Sequence, residues 1–173
     1  MMPLRFLLTI LTAAAGLHVE AAVDVTVAPP VRSDEPQGKR TIRKVTLANE
    51  LAHYTLTYDI IRPPDSKGEV ISHWWIWTTD YVSLGMSEPT LANWYWQGFF
   101  NWHFDDKSLY NWPATFRVIR NGGKDGLVEF AWDTPEAKAT VRFAMTTGCD
   151  KLLMFGNCEP KAEFKENYLQ LIC

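Results

Sequence analysis

The residues of this chain best equipped for chemistry lie in one alternating run, 93–105. One parity holds Trp94, Trp96, Gly98, Phe100, Trp102 and Phe104; the other holds Asn93, Tyr95, Gln97, Phe99, Asn101, His103 and Asp105. Successive side chains of an extended strand point to opposite faces. The first set therefore reads as a core face, and the second as a mixed face of amides, a carboxylate, an imidazole and two aromatic rings. Such groups hydrogen-bond hydroxyls while a ring stacks on an apolar surface, which is the combination that holds a pyranose. The candidate ligand-binding residues are Tyr95, Gln97, Phe99, Asn101, His103 and Asp105, with Trp75 and Trp77 added from a second aromatic run, 73–78. Gly98 is placed to admit a bulge that bends the strand. The competing reading is that the rings fill a core. Seven of the eight Trp fall between Trp74 and Trp112, and the 73–78 run is covered on both faces, as in a central strand.

A catalytic reading has less to rest on. His103, Asp105 and Asp106 lie close enough in sequence to share an acid–base site, and His73, Asp80 and Glu88 flank the other aromatic run. Loop carboxylates are usually solvated, and a His on a mixed strand face is usually structural. The patterns H-E-x-x-H, G-x-S-x-G, G-x-G-x-x-G and the P-loop are all missing from the sequence, which removes the zincin, hydrolase-elbow, dinucleotide and NTPase readings at motif level. No metal and no cofactor is expected. The net charge of -3, without a basic stripe, argues against nucleic acid.

These candidates need strands to position them. In 51–61, Tyr54, Leu56, Tyr58 and Ile60 alternate with His53, Thr55, Thr57 and Asp59, as in a half-buried strand, and the Pro-rich segment 62–68 breaks the pattern. The alternation returns with Val128, Phe130 and Trp132, and again with Ala139, Val141, Phe143 and Met145. Asn121, Gly122 and Gly123 tolerate positive φ, so 115–120 and 127–132 are expected to form a hairpin. The runs 151–156 and 168–172 fit two further strands. No sustained 3.6-residue stripe is present. The expected fold is therefore all-β, an antiparallel β-sandwich.

Three segments follow. Residues 1–22 read as a secretory signal: Arg5 carries the only positive charge, 6–17 is apolar, and Val19-Glu20-Ala21 suits cleavage after Ala21 or Ala22. The apolar run falls short of the roughly 20 residues that span a bilayer, so the expected location is secreted or periplasmic with no stable membrane anchor. Residues 23–40, rich in Pro and charge, read as a linker or loose arm, and 41–173 as a single sandwich domain. The three Cys, at 149, 158 and 173, cannot all pair within the chain. If 151–157 is a strand, Cys149 and Cys158 stand about 30 Å apart at roughly 3.3 Å per residue, beyond the ~7 Å ceiling for a disulfide. A bridge from Cys173 to one of them is then favoured. The apolar end 168–172, without a polar tail, suggests part of a larger sandwich and an open edge for self-association.

Val45-Thr46-Leu47-Ala48-Asn49-Glu50, followed by the alternating 51–61, resembles the opening hairpin of galactose-mutarotase-like sandwiches. The resemblance covers that hairpin alone. It implies a carbohydrate-associated β-sandwich, in a fold shared by sugar epimerases, domains of polysaccharide lyases and glycosidases, and binding proteins. Neither His73 nor His103 stands in a version of the epimerase motifs, so no catalytic role is carried across. Three functions are thus expected in competition: carbohydrate or polysaccharide binding, turnover of a glycan by His103 with Asp105 or Asp106, and an assembly role for the C-terminal edge.

Overall fold

The computed structural model describes residues 21–35, 38–62, 73–82, 90–91, 100–109, 112 and 114–171. They form thirteen strands in three antiparallel sheets, with no α-helix among the described residues. The first sheet follows the order β1 (Asp24–Val27), β3 (Gly38–Ala48), β4 (Ala52–Arg62), β5 (His73–Val82) and β6 (Thr90–Leu91), with β2 (Val31–Glu35) also paired to β3. The second runs β12 (Leu153–Pro160), β11 (Ala137–Thr146), β10 (Asp125–Asp133) and β9 (Thr115–Arg120). The third runs β13 (Asn167–Leu171), β7 (Phe100–Phe104) and β8 (Lys107–Ser108). The all-β, antiparallel sandwich expected from the alternation is the fold observed.

The core follows the period-two pattern residue by residue. Val128, Phe130 and Trp132 of β10 and Ala139, Val141, Phe143 and Met145 of β11 are buried, as are Leu56 and Tyr58 of β4 and Phe100, Trp102 and Phe104 of β7. The sheets meet through rings. Tyr58 stands edge-on to Phe130 with centroids 5.6 Å apart, and Phe100 lies 6.2 Å from both Trp132 and Phe143. Each such pair adds about 0.5–1.5 kcal/mol beyond the area it buries.

One end of the sandwich is closed by two asparagines. Asn49, in the turn between β3 and β4, accepts from the Leu51 and Ala52 amides at 2.9 Å and donates to the Thr146 and Cys149 carbonyls at 2.6 and 2.7 Å. All four of its hydrogen-bonding positions are used, so one side chain ties the first sheet to the second. Asn121 does the same from the expected β9–β10 hairpin: its Oδ1 accepts from Val25 N at 2.7 Å and its Nδ2 donates to Val25 O at 2.9 Å. Val23 adds two backbone bonds to the same turn, with Gly122 and Gly123.

That closure corrects the expectation for residues 23–40. They are no linker or arm: they supply β1, β2 and the start of β3, and Val23 and Val25 belong to the core at 0% and 5% exposure. Pro29 and Pro30 break the edge between β1 and β2, because neither has an N–H for the ladder. The segment read as a secretory signal lies outside the described residues apart from Ala21 and Ala22. Among the described residues Cys149 and Cys158 form no disulfide with each other, as expected, and the bridge favoured from Cys173 involves a residue outside the described part. Burial pushes the Cys158 thiol up, as suits a packing side chain that faces inward beside Ala139.

Gly126 of β10 packs directly against Val23 and Val25 at the start of the chain's first strand. A methyl group there would stand 2.6 Å from Val23 Cγ1 and 3.0 Å from Val25 Cγ2. Gly126→Ala is expected to cost about 1–3 kcal/mol in urea unfolding. Adding Val23→Ala removes the nearest clash, so the double variant should be more stable than the sum of the two single losses. Simple additivity would show that β1 does not pack where described.

Candidate functional site

Part of the aromatic and amide face lies on β7. Tyr95, Gln97 and Phe99 are outside the described residues. Trp75 and Trp77 have their backbone in β5, opposite Asp59 and Thr57, and their side chains are outside the described part. The expected core parity holds for Phe100, Trp102 and Phe104. On the described part of the polar parity, Asn101 and His103 are engaged with neighbouring side chains. Asn101 is 4% exposed; its Nδ2 meets His103 Nε2 at 2.8 Å and its Oδ1 accepts from Ser108 Oγ at 2.7 Å. His103 stacks on Tyr168, its cross-strand partner on β13, with centroids 4.6 Å apart.

Asp105 was expected on the ligand face of a long strand, and that placement is corrected. The strand ends at Phe104, and Asp105 occupies the two-residue turn into β8 with φ 52°, a region that Asp tolerates better than most residues. Its Oδ1 accepts from the Lys165 and Glu166 amides at 2.8 and 2.9 Å, which fixes the entry to β13. Asp106 is exposed and stands 3.5 Å from Lys107 Nζ. Each carboxylate thus has a partner other than His103. The three residues considered for acid–base work are neighbours in sequence without forming one hydrogen-bonded set.

The open face of the second sheet carries a different arrangement. Pairing register lines up three rows across β9 to β12: Arg120, Leu127, Ala144 and Leu153; then Arg117, Glu129, Arg142 and Phe155; then Thr115, Ala131, Thr140 and Asn157. A groove of about 510 Å³ runs over these rows, within the roughly 300–1,000 Å³ usual for small-ligand sites. Leu127, Ala144 and Leu153 supply its apolar surface; Arg120, Thr140, Arg142 and Asn157 supply its donors and acceptors. Phe155 lies along it at 53% exposure, with Arg142 as its cross-strand partner.

Glu129 organises this face. Its side chain is only 3% exposed, covered by the two arginines that hold it. Arg117 Nε donates to Oε1 and Arg142 Nε donates to Oε2, both at 2.7 Å. Hydrogen bonding to Arg117 holds the carboxyl below its ordinary value; desolvation opposes this, and Arg142 adds to it. A buried carboxylate without partners would neutralise instead. Arg120 Nη1 pairs with Asp125 Oδ2 at 3.0 Å, so the groove end of the face carries Arg117, Arg120 and Arg142 against Glu129 and Asp125, while Asp133, Lys138 and Glu159 lie at the other end.

The groove was not anticipated from the sequence. Its residues come from four strands and meet only through register. The nearest signal was Phe155, an aromatic residue on the outward parity of an apolar run. No family model matches the chain, and no curated protein or solved structure matches it.

Glu129→Gln keeps the shape but exchanges an acceptor for an amide donor facing an arginine. A loss of about 1–3 kcal/mol at pH 7 is expected. The folded pKa is lowered, so the wild-type contribution is complete above the unfolded value of about 4.3 and is lost as pH falls through the folded value. Urea midpoints of the two proteins should therefore converge in acid. A gap that persists below both values would rule out the charge as its source.

Proposed function

We propose that this chain is an exported carbohydrate-binding β-sandwich that holds its ligand in the groove over β9 to β12. The observation that carries the reading is Phe155, a half-exposed ring held on a paired strand beside apolar surface and beside Arg142, Thr140 and Asn157. A sugar ring has one apolar face and a rim of hydroxyls. It fits a surface where a ring and fixed donors lie side by side. The side chains stand on strands, so little ordering is required when the ligand arrives. Export rests on the apolar, uncharged segment 6–17.

Binding is favoured over turnover because the carboxylates expected to partner His103 are engaged elsewhere, Asp105 with backbone amides and Asp106 with Lys107. The face on 93–105 is the alternative location for the same function. An assembly role has one observation in its favour. Among the described residues β13 pairs only with β7, and its Tyr168 and Leu169 are exposed at that edge. Concentration-independent sedimentation as a monomer would remove that role.

The test is retention on an immobilised glycan array, with reducing-sugar release and unsaturated-product absorbance read on the same ligands. Phe155→Ala should weaken retention about tenfold or more while leaving the thermal midpoint nearly unchanged. Tyr95→Ala with Phe99→Ala should retain binding. The opposite pattern would move the site to the 93–105 face, and product formation would make the chain an enzyme.

A further inference from the structure

The arginines on the open sheet face have capacity that their ion pairs do not use. Arg117 and Arg142 each give Glu129 one N–H, from Nε. A guanidinium carries five N–H groups, so four remain on the terminal nitrogens of each. Those side chains are 68% and 48% exposed, whereas the carboxylate between them is buried. Glu129 thus works as an anchor beneath the surface. It fixes two planar cations with their outer edges toward solvent, and their orientation is set before any ligand binds. Of the pair, Arg142 lines the groove and is in register with Phe155.

We propose that the groove takes a uronic-acid residue of an acidic polysaccharide, with the sugar ring on Phe155 and its carboxylate on the outer edge of Arg142. The inference rests on the saccharide reading of the groove and deepens it. Charge complementarity at the groove end of the face selects the anion: Arg117, Arg120 and Arg142 meet Glu129 and Asp125 there, with Arg120 and Arg142 both lining the groove, whereas Asp133, Lys138 and Glu159 lie at the other end of the sheet. Geometry selects a carboxylate, because a planar fork accepts two oxygens in one plane. The apolar surface of Leu127, Ala144 and Leu153 selects an anion carried on a ring over a free inorganic one.

Matched polymers test this. Full-length chain is assayed for retention of polygalacturonate, the same polymer fully methyl-esterified, neutral galactan and dextran sulfate. Wild type should bind polygalacturonate about tenfold more tightly than the ester. Arg142→Gln should abolish that preference. Arg142→Lys, which keeps the charge beside Glu129 and so protects the fold, should also lose most of it because the fork is gone. Equal binding of the acid and its ester, with Phe155→Ala weakening both, overturns the uronate proposal and leaves the saccharide groove standing. Equal binding of dextran sulfate and polygalacturonate overturns it in favour of a general polyanion surface. No retention of any polymer by folded wild type overturns the saccharide reading itself.

Discussion

A slip of β10 by one residue against β11 would carry Val128, Phe130 and Trp132 out to water and turn Glu129 toward the core. The register is therefore held from both sides of the sheet. On the inside, alternate residues of both strands are buried against Tyr58, Phe100 and the valines of β1 and β3. On the outside, Glu129 reaches both neighbouring strands through two charge-assisted hydrogen bonds. The apolar face stabilises the sandwich, and the same pleat fixes which side chains are left to form an open surface.

The remaining structure supports that arrangement by closing one end. Asn49 and Asn121 each replace several backbone partners, so turns that would otherwise be solvated are bound to the opposite sheet. Asp105 serves the third sheet in the same manner, joining the exit from β7 to the entry of β13. Short polar side chains thus replace the strand pairing that stops at each turn. The consequence for function is a firm platform. The groove lies on paired strands, where backbone bonds and buried rings hold its side chains in place.

The alternation of apolar residues was readable from the sequence because it is local. Val128 to Trp132, Ala139 to Met145 and Tyr54 to Tyr58 declare their faces without knowledge of any partner, and so did the Asn121–Gly123 turn. What could not be read depended on distant contacts. Val23 and Val25 make only two inward positions before Pro29 and Pro30, too short a pattern to separate an edge strand from an arm. Asp105 looked like a strand residue because parity continues through it, whereas its positive φ and its bonds to 165–166 are set by the third sheet. Asn101 looked available because Ser108, which donates to its Oδ1, becomes a neighbour only once β7 and β8 fold back. Leu127, Arg142 and Phe155 gave no joint signal, since their spacing has meaning only after β10, β11 and β12 are in register.

The central claim is the location of the ligand on the open face of the second sheet, and amide chemical-shift mapping by NMR during titration with a trigalacturonate tests it most directly. The account predicts that the largest shifts cluster on β10, β11 and β12, around Leu127, Arg142 and Phe155, with the β7 and β13 amides near their starting positions. Shifts confined to 93–105 and its neighbours on β13 would contradict it, and would assign the binding to the aromatic run instead.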